Sequence, residues 1–210
     1  IGAPQRLHGR VEAPAGRGMD PARQIQRKLG ITTIFVTHDQ EEAMTMAERI
    51  AIMHQGWIAQ VGSPMDIYET PASRLVCEFI GNVNLFEGEL VEDMGDHAII
   101  ASPGLDNPIY VGHGISTRAQ DKHITYALRP EKLLIGTELP ELERPGYNWA
   151  KGVVHDIAYL GGHSVYYIKL PSGGVLQAFM ANAERHVKLP TWEEEVYVYW
   201  WDDSGVVLQA

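Results

Sequence analysis

Residues 194–201 read Glu-Glu-Val-Tyr-Val-Tyr-Trp-Trp, and this stretch decides the fold of the second half of the chain. Its side chains alternate with a period of two, which predicts a β-strand with two distinct faces. One face is expected to enter a core, and it carries Val196, Val198 and Trp200. The other face is also apolar, and it carries Tyr197, Tyr199 and Trp201. Because such an outward face exposes apolar area to water, we interpret it as a candidate dimer surface.

The same alternation recurs from residue 82 onward, in short runs separated by turns rich in Gly, Asp and Ser. We predict nine strands, at residues 84–91, 97–101, 109–112, 124–129, 150–158, 163–170, 174–180, 194–200 and 205–209. Many short strands between turns are typical of a small barrel or sandwich. Residues 139–148 are rich in turn formers, and we interpret them as a loop between two segments, about 82–138 and 149–210.

The first part of the chain follows a different pattern. The apolar, β-branched run at residues 31–36 predicts a strand buried on both faces, as in a parallel α/β sheet. The run ends at His38, and ligands bind at that edge of open α/β sheets. Asp39 is expected to cap a helix over residues 40–48, with Glu42 completing a capping box.

Between residues 50 and 81 the sequence predicts a hairpin and two short helices. The hairpin joins residues 50–53 to residues 57–61. Each helix is expected to begin at a capping residue followed by proline, at Ser63-Pro64 and at Thr70-Pro71. The predicted fold class is therefore α+β, with a small α/β segment followed by an all-β barrel.

The stretch 35–44, Phe-Val-Thr-His-Asp-Gln-Glu-Glu-Ala-Met, resembles the switch-histidine segment of ABC transporter ATP-binding subunits. An ordered series of further matches follows: Arg49-Ile-Ala-Ile-Met53, Gln60-Val-Gly-Ser-Pro64, Ile67-Tyr68, Pro71 and Phe79-Ile-Gly81. The resemblance implies that His38 contacts the γ-phosphate of ATP and the attacking water in the whole enzyme. It also implies ATP and Mg²⁺ as cofactors there, and residues 24–81 as the C-terminal remnant of an ATPase domain.

Two other motifs of that family do not occur in the 210 residues. These are the Gly-x-x-x-x-Gly-Lys-[Ser/Thr] loop, which cradles phosphates, and the Leu-Ser-Gly-Gly segment. Phosphoryl transfer depends on positioning by such parts. We therefore expect His38 to be idle in this chain, which would have no catalysis and no bound cofactor of its own. Residues 1–23, rich in Gly, Pro, Ala and Arg, are interpreted as a disordered lead or one of artificial origin.

Two elements of the β region, Arg129-Pro130-Glu131 and residues 152–161, resemble the OB-like accessory domain, or TOBE domain, of importer ATPases. Details such as residues 82–88 are most similar to putrescine/spermidine importer subunits. The resemblance implies an OB-like barrel over residues 82–210, acting as a C-terminal regulatory and dimerisation region. As partners it implies a second copy and transmembrane permease subunits, which would hold this cytoplasmic protein at the inner face of the cell membrane.

Composition restricts the partners further. A net charge of −10 argues against binding to nucleic acid and to anionic lipid surfaces. The single cysteine, Cys77, excludes an internal disulfide. No apolar stretch approaches the roughly 20 residues that a membrane span needs, so we expect no direct membrane insertion. His155 and His163 could meet across strands beside Asp156, but the histidine spacing does not favour a metal site.

Several interpretations stay open for the barrel. Arg129 and Glu131 form a structural pair, with Pro130 fixing the bend beside them, or they contribute to a ligand pocket or regulatory contact. The barrel as a whole could instead be a free-standing module that binds a small ligand. It could also be an OB-type binder that stacks nucleic-acid bases on aromatic residues, although the negative charge disfavours that function.

Overall fold

The computed structural model describes residues 21–115, 123–139, 146–183 and 189–209. The chain forms two compact units, which meet in sequence between Glu48 and Arg49. The described part of the first unit holds two helices, α1 (Pro21–Leu29) and α2 (Gln40–Met46). Helix α1 begins inside the segment interpreted as a lead, whose residues 1–20 lie outside the described ones.

The strand predicted at residues 31–36 is wrong. Residues 31–37 form no regular element, and Ile34 and Val36 are 89% and 91% exposed. A central parallel strand needs hydrogen-bonded neighbours on both sides. No strand within the described ranges pairs with this run, so its apolar pattern has no sheet in which to be buried.

Helix α2 begins at the predicted cap. The Asp39 carboxylate accepts a hydrogen bond from the Glu42 amide at 3.0 Å. The capping box is not completed, because the Glu42 carboxylate accepts from the Thr37 hydroxyl at 2.8 Å instead of from the Asp39 amide. That amide donates to the Thr37 hydroxyl at 2.9 Å. The resulting polar turn places His38 directly before the helix cap, and the helix ends two residues earlier than predicted.

The second unit opens with the predicted hairpin, β1 (Ile50–His54) and β2 (Trp57–Gly62). Helix α3 (Pro64–Glu69) follows, with a complete capping box between Ser63 and Asp66. Helix α4 (Arg74–Phe79) is capped by Ser73, so the cap predicted at Thr70 is wrong. Thr70 ends α3 instead, and its hydroxyl donates to the Asp66 carbonyl at 2.8 Å.

Residues 84–209 form two five-stranded antiparallel sheets. The first half of this region supplies β3 (Asn84–Asp93), β4 (Ala98–Ala101), β5 (Ile109–Val111), β6 (His123–Leu128) and β7 (Leu134–Gly136). The second half supplies β8 (Tyr147–Tyr159), β9 (His163–Lys169), β10 (Val175–Ala181), β11 (Glu195–Trp201) and β12 (Val206–Gln209). All nine predicted strands are present, with slightly different bounds. The pattern missed β7, which has three residues and follows a short 3₁₀ helix at Pro130–Lys132.

The two halves of the barrel have the same topology. In the first half β3 lies between β4 and β6, and β4 also pairs with β5. In the second half β8 lies between β9 and β11, and β9 also pairs with β10. A register shift interrupts the first pair of strands in both halves, at Leu90/Glu92 on β3 and at Val154/Asp156 on β8. The barrel is therefore an internal repeat of one five-strand unit.

The fifth strand of each half completes the sheet of the other half. Strand β7 pairs with β11 and places Ile135 opposite Val198, while β12 pairs with β6 and places Val207 opposite Tyr126. Each sheet therefore contains strands from both halves, and neither half completes a sheet alone.

Gly88 and Gly152 occupy equivalent positions where paired strands approach closely. A Cβ atom on Gly88 would lie 2.7 Å from the carbonyl oxygen of Ala101. A Cβ atom on Gly152 would lie 2.9 Å from the carbonyl oxygen of Lys169. A side chain does not fit at either point, so both halves depend on glycine for the same close approach.

One apolar core lies between the two sheets. The indole N–H of Trp200 donates to the Tyr126 hydroxyl at 3.1 Å, and the Phe86 ring stacks on Trp200 at 6.0 Å. Val196 and Val198 are also buried, which confirms the inner face predicted for β11. This curled two-sheet arrangement is the predicted OB-like barrel, and the α+β fold class is confirmed.

Candidate functional site

His38 lies in the first unit, between the run at residues 31–37 and the Asp39 cap of α2. Its side chain is exposed, and no hydrogen bond joins it to another described residue. The polar turn of Thr37 and Glu42 therefore holds the backbone on both sides of His38 while the imidazole stays free to meet a ligand.

Arg129 is the most buried cation among the described residues, with 6% of its surface exposed. Its Nη1 atom donates to the carbonyl oxygens of Cys77, Gly81 and Asn82, at 3.1, 3.2 and 3.2 Å. These carbonyls lie in and just after α4, where a helix leaves acceptors without intrahelical partners. Arg129 therefore caps the end of α4 from the barrel side.

The ring of Tyr68 covers the other side of the Arg129 guanidinium, with the Arg129 Cζ atom 4.3 Å from the ring centroid. The Tyr68 hydroxyl donates to the Glu131 carboxylate. Burial, and then this hydrogen bond, raise the pKa of the Tyr68 hydroxyl above its usual range, so the group stays protonated. We call Tyr68, Arg129 and Glu131 the latch.

The direct structural pair proposed for Arg129 and Glu131 is wrong. No ion pair joins these side chains in the described part of the chain, and Tyr68 links them instead. Pro130 starts a 3₁₀ helix that includes Glu131, and Arg129 directly before it is buried while Glu131 is exposed. The sequence pattern could not reveal Tyr68, because it lies in α3, far from both residues in the chain.

Helix α4 lies on the outer face of the first half of the barrel. Its buried Cys77 packs with Ala127 of β6 and Leu208 of β12, and Leu85 of β3 joins the same cluster. Burial raises the pKa of the Cys77 thiol, which therefore stays neutral in this apolar contact. Arg74, at the other end of the helix, pairs with Glu87 of β3.

On their outer side, β8 and β11 carry five half-buried aromatic side chains, which we call the aromatic face. They are Tyr147, Trp149, Tyr197, Tyr199 and Trp201. Rings meet edge to face across β8 and β11, with centroids 5.8 Å apart for Trp149–Tyr197 and 6.5 Å apart for Tyr147–Tyr199. The structure therefore brings the three predicted dimer residues together and adds two from β8.

The aromatic face is equivalent to the face under α4. Ala127 pairs with Leu85 of β3 and with Val206 of β12. At the same point of the second half, Tyr199 pairs with Trp149 of β8 and with Leu134 of β7. The first face is covered by α4, whereas the second stays half-exposed, with 43% of Leu134 accessible.

A shallow hollow of about 200 Å³ opens beside Gly152. Its apolar lining consists of Val153, Leu170 and Pro171. Its lining also includes Lys151, Lys169 and Glu195, and Lys151 pairs with Glu195 at 3.0 Å.

The described residues contain no group of three or more His, Cys, Asp or Glu side chains placed to hold a metal ion. His155 and His163 do not meet, because the register puts Tyr167 opposite Asp156 and the His163 ring packs on Phe179 at 5.4 Å. Within the same ranges, no helix has the length and apolar character that a membrane crossing requires.

A family model described as the TOBE domain matches residues 126–208. The chain is 49% identical over 185 residues to the putrescine transport ATP-binding protein PotG of Escherichia coli (strain K12), a match that covers 88% of this chain and 48% of that protein. It is 32% identical over 188 residues to the spermidine/putrescine import ATP-binding protein PotA of Thermotoga maritima, covering 89% of this chain and 50% of that protein.

A solved structure of the cytoplasmic molybdate-binding protein ModG with molybdate bound is similar at a TM-score of 0.47 and 12% identity, covering 67% of this chain and 99% of that one. This likeness is too slight to assign a fold or a ligand. The chain spans about half the length of the curated relatives it matches. From those relatives and the TOBE match, the chain belongs to the ATP-binding subunits of ABC transporters that carry a TOBE domain, and it corresponds to their C-terminal region.

Proposed function

We propose that the chain is the C-terminal regulatory and dimerisation region of the ATP-binding subunit of a polyamine importer. The observation that carries this proposal is the 49% identity to PotG over 88% of this chain. In the whole protein, ATP and Mg²⁺ would be the cofactors and transmembrane permease subunits the partners. Contact with those subunits would place this cytoplasmic protein at the inner face of the cell membrane.

We propose that the chain supplies no chemistry by itself. His38 would act on the γ-phosphate only beside a phosphate-binding loop, and no such motif occurs in the 210 residues. Its exposed position before the cap of α2 suits a residue that completes a site built from other segments. The described residues thus support a role in positioning and assembly.

We propose that the whole protein works as a homodimer and that the aromatic face contributes to the contact between copies. The internal repeat supports this, because the equivalent face of the first half is covered by α4. A second copy that meets Tyr197, Tyr199 and Trp201 through its own aromatic face would form an isologous interface. Stable interfaces of this kind bury about 1,600 Å² in total, and removing apolar area from water contributes roughly 25 cal/mol per Å².

A graft into the E. coli relative tests the proposed function. In a strain that lacks PotG, the matching C-terminal half of PotG is replaced by residues 24–210 of this chain, and uptake of labelled putrescine is measured. We expect uptake to be restored. The same graft with His38→Ala should accumulate equally and import far less, because the imidazole would no longer reach the γ-phosphate.

Two results would contradict the proposal. A graft that accumulates and assembles with the permease, yet imports no putrescine, would refute the assignment to polyamine import. Equal uptake by the His38→Ala graft would refute the role of His38. Deleting the barrel, residues 82–210, from the graft should change the rate of putrescine uptake. An unchanged rate would refute the regulatory role proposed for the barrel.

The hollow beside Gly152 favours a second candidate, a barrel that binds a small ligand. Its lining combines Lys151 and Lys169 with Glu195 and apolar side chains. Calorimetric titration of the chain with short-chain carboxylates and with inorganic phosphate distinguishes the two functions. Saturable binding that is lost in Lys169→Gln would support this candidate. If no heat of binding is detected up to millimolar ligand, ligand binding is excluded and the regulatory and dimerisation function is retained.

A further inference from the structure

Helix α4 lies on the outer face of the first half of the barrel, and α3, which precedes it, packs on β2; we call the two helices the strap. Under them lies the apolar cluster of Cys77, Ala127 and Leu208. The barrel forms this face from β3, β6 and β12, whose pairing does not include the helices. The sheet beneath the strap is therefore complete without it.

The strap is held by the buried side chains of Ile67, Val76 and Cys77 and by a few polar contacts. The latch fastens α3 and the end of α4, since Tyr68 stacks on Arg129 and donates to Glu131. Lys132 pairs with Glu69 at 3.1 Å, and Arg74 pairs with Glu87 near the start of α4. Both ion pairs are substantially exposed, and such pairs contribute little. Among these polar contacts the latch is the one that contains a buried guanidinium.

Each helix of the strap has only six residues. Helices of that length are not stable in water without tertiary packing. The core between the two sheets, in contrast, is continuous through both halves of the barrel. The two helices bury Ile67, Val76 and Cys77, a small set beside the side chains of that core. Segments with few buried side chains open locally while a large core stays folded.

We propose that α3 and α4 open as a unit from a barrel that remains folded, and that Tyr68, Arg129 and Glu131 form the latch that controls this opening. Opening uncovers Ala127 and Leu208, on the face equivalent to the aromatic face. The chain then presents an apolar sheet face on each half instead of on one. This inference does not depend on the transport function proposed above.

Cys77 reports on the opening, because it is the single cysteine of the chain and lies under the strap with 2% of its surface exposed. The rate of its alkylation by iodoacetamide is measured on the full chain under native conditions. Tyr68→Phe removes the hydrogen bond to Glu131 and keeps the ring over Arg129. Since this hydrogen bond is made to a charged carboxylate, we expect its loss to accelerate alkylation about tenfold or more.

Two further variants sharpen the test. Arg129→Lys loses the stacking plane and most of the carbonyl contacts, so it should accelerate alkylation more than Tyr68→Phe does. Glu131→Gln combined with Tyr68→Phe should differ little from Tyr68→Phe alone, because Glu131→Gln only weakens the hydrogen bond that Tyr68→Phe removes. Tyr110→Phe, on β5 away from the strap, is the matched control and should leave the rate unchanged.

Hydrogen exchange at the amides of Val154 and Ile168 measures opening of the core in the same samples. We expect these amides to keep their protection in Tyr68→Phe. An unchanged alkylation rate in that variant would overturn the proposal. Acceleration matched by an equal loss of protection at Val154 and Ile168 would overturn it too, since the latch would then be an ordinary part of the global fold. If Arg129→Lys fails to fold, Tyr68→Phe and Glu131→Gln still decide the matter.

Discussion

Asn84 and Asn148 make equivalent hydrogen bonds between the two sheets of the barrel, each from its own sheet to the edge strand of the other. The Asn84 amide on β3 pairs with both backbone groups of Gln177 on β10, at 2.8 and 2.9 Å. The Asn148 amide on β8 pairs with both backbone groups of Tyr110 on β5, at 2.7 and 2.8 Å. Each buried side chain thus continues a strand ladder into the other sheet and closes the barrel at equivalent corners.

Replacing either asparagine by alanine should destabilise the barrel by a similar amount. Asn84→Ala and Asn148→Ala each leave one backbone N–H and one C=O of an edge strand without a protein partner. We expect each to lower the free energy of unfolding by about 1–3 kcal/mol, measured by urea denaturation. Asn82→Ala, at an exposed asparagine, is the control and should change it by less than about 0.5 kcal/mol. A change that small in both buried variants would refute the role assigned to these side chains.

The hairpin of β3 and β4 should be more stable at low pH because of His97. Its ring hydrogen-bonds to Asp96 at 2.9 Å, approaches Glu92 at 3.3 Å and stacks on Tyr110. The hydrogen bond to Asp96, followed by the interaction with Glu92, raises the pKa of His97 above 6.5. The folded state therefore binds the proton more tightly than the unfolded state. The stabilisation is complete below the unfolded pKa and is lost as pH rises through the folded one.

Comparison of the wild type with His97→Gln between pH 5.5 and 8.5 tests this. The wild type should exceed the variant in unfolding free energy most at pH 5.5, and the difference should shrink toward pH 8.5. Loss of the ring contact with Tyr110 adds an offset that does not depend on pH. A difference that is constant across the range would mean that the proton on His97 contributes nothing to folding.

Sedimentation velocity over a concentration series tests the aromatic face. We expect a monomer–dimer equilibrium in the micromolar range, because the face offers five aromatic side chains for burial. Tyr199→Ser combined with Trp201→Ser should yield monomers. The matched pair Tyr159→Ser and Trp192→Ser removes exposed aromatic residues away from Trp201 and should leave the dimer intact. If the Tyr199→Ser, Trp201→Ser double variant still dimerises, the interface does not include the aromatic face.

Calorimetric titration with Mg-ATP should give no saturable heat. The motif that cradles the β- and γ-phosphates does not occur in the 210 residues, and exposed His38 offers a single contact. Intact E. coli PotG is the positive control. Binding to this chain at micromolar ATP would reveal a nucleotide site that none of the recognised motifs accounts for.

The β region was largely predictable because its signal is local. Alternation along residues 194–201 identified which face of β11 is buried, and turn residues marked the strand ends. The strand at residues 31–36 was predicted from the same kind of signal and is wrong, because burial on both faces depends on neighbouring strands and not on the run itself. The composition of residues 31–36 shows that these side chains are apolar enough to be buried. It does not show whether other strands pair with them.

The latch and the internal repeat were not predicted. Tyr68 meets Arg129 through packing between distant segments, which no sequence pattern records. The repeat did leave a trace: Asn84-Leu-Phe-Glu-Gly88 and Asn148-Trp-Ala-Lys-Gly152 share the asparagine that closes a corner and the glycine of the close approach. A search for that spacing in both halves would have indicated the duplication.

The exchange of β7 and β12 has a consequence for how the protein is made. Strand β6 leaves the ribosome long before β12, the strand that completes its sheet. Until β12 is synthesised, the first half has an open sheet edge, and such edges recruit other chains. Pairing between segments so distant in the chain also slows folding. The nascent first half therefore depends on protection of that edge. A chaperone that binds β6 during translation would prevent it from pairing with other chains.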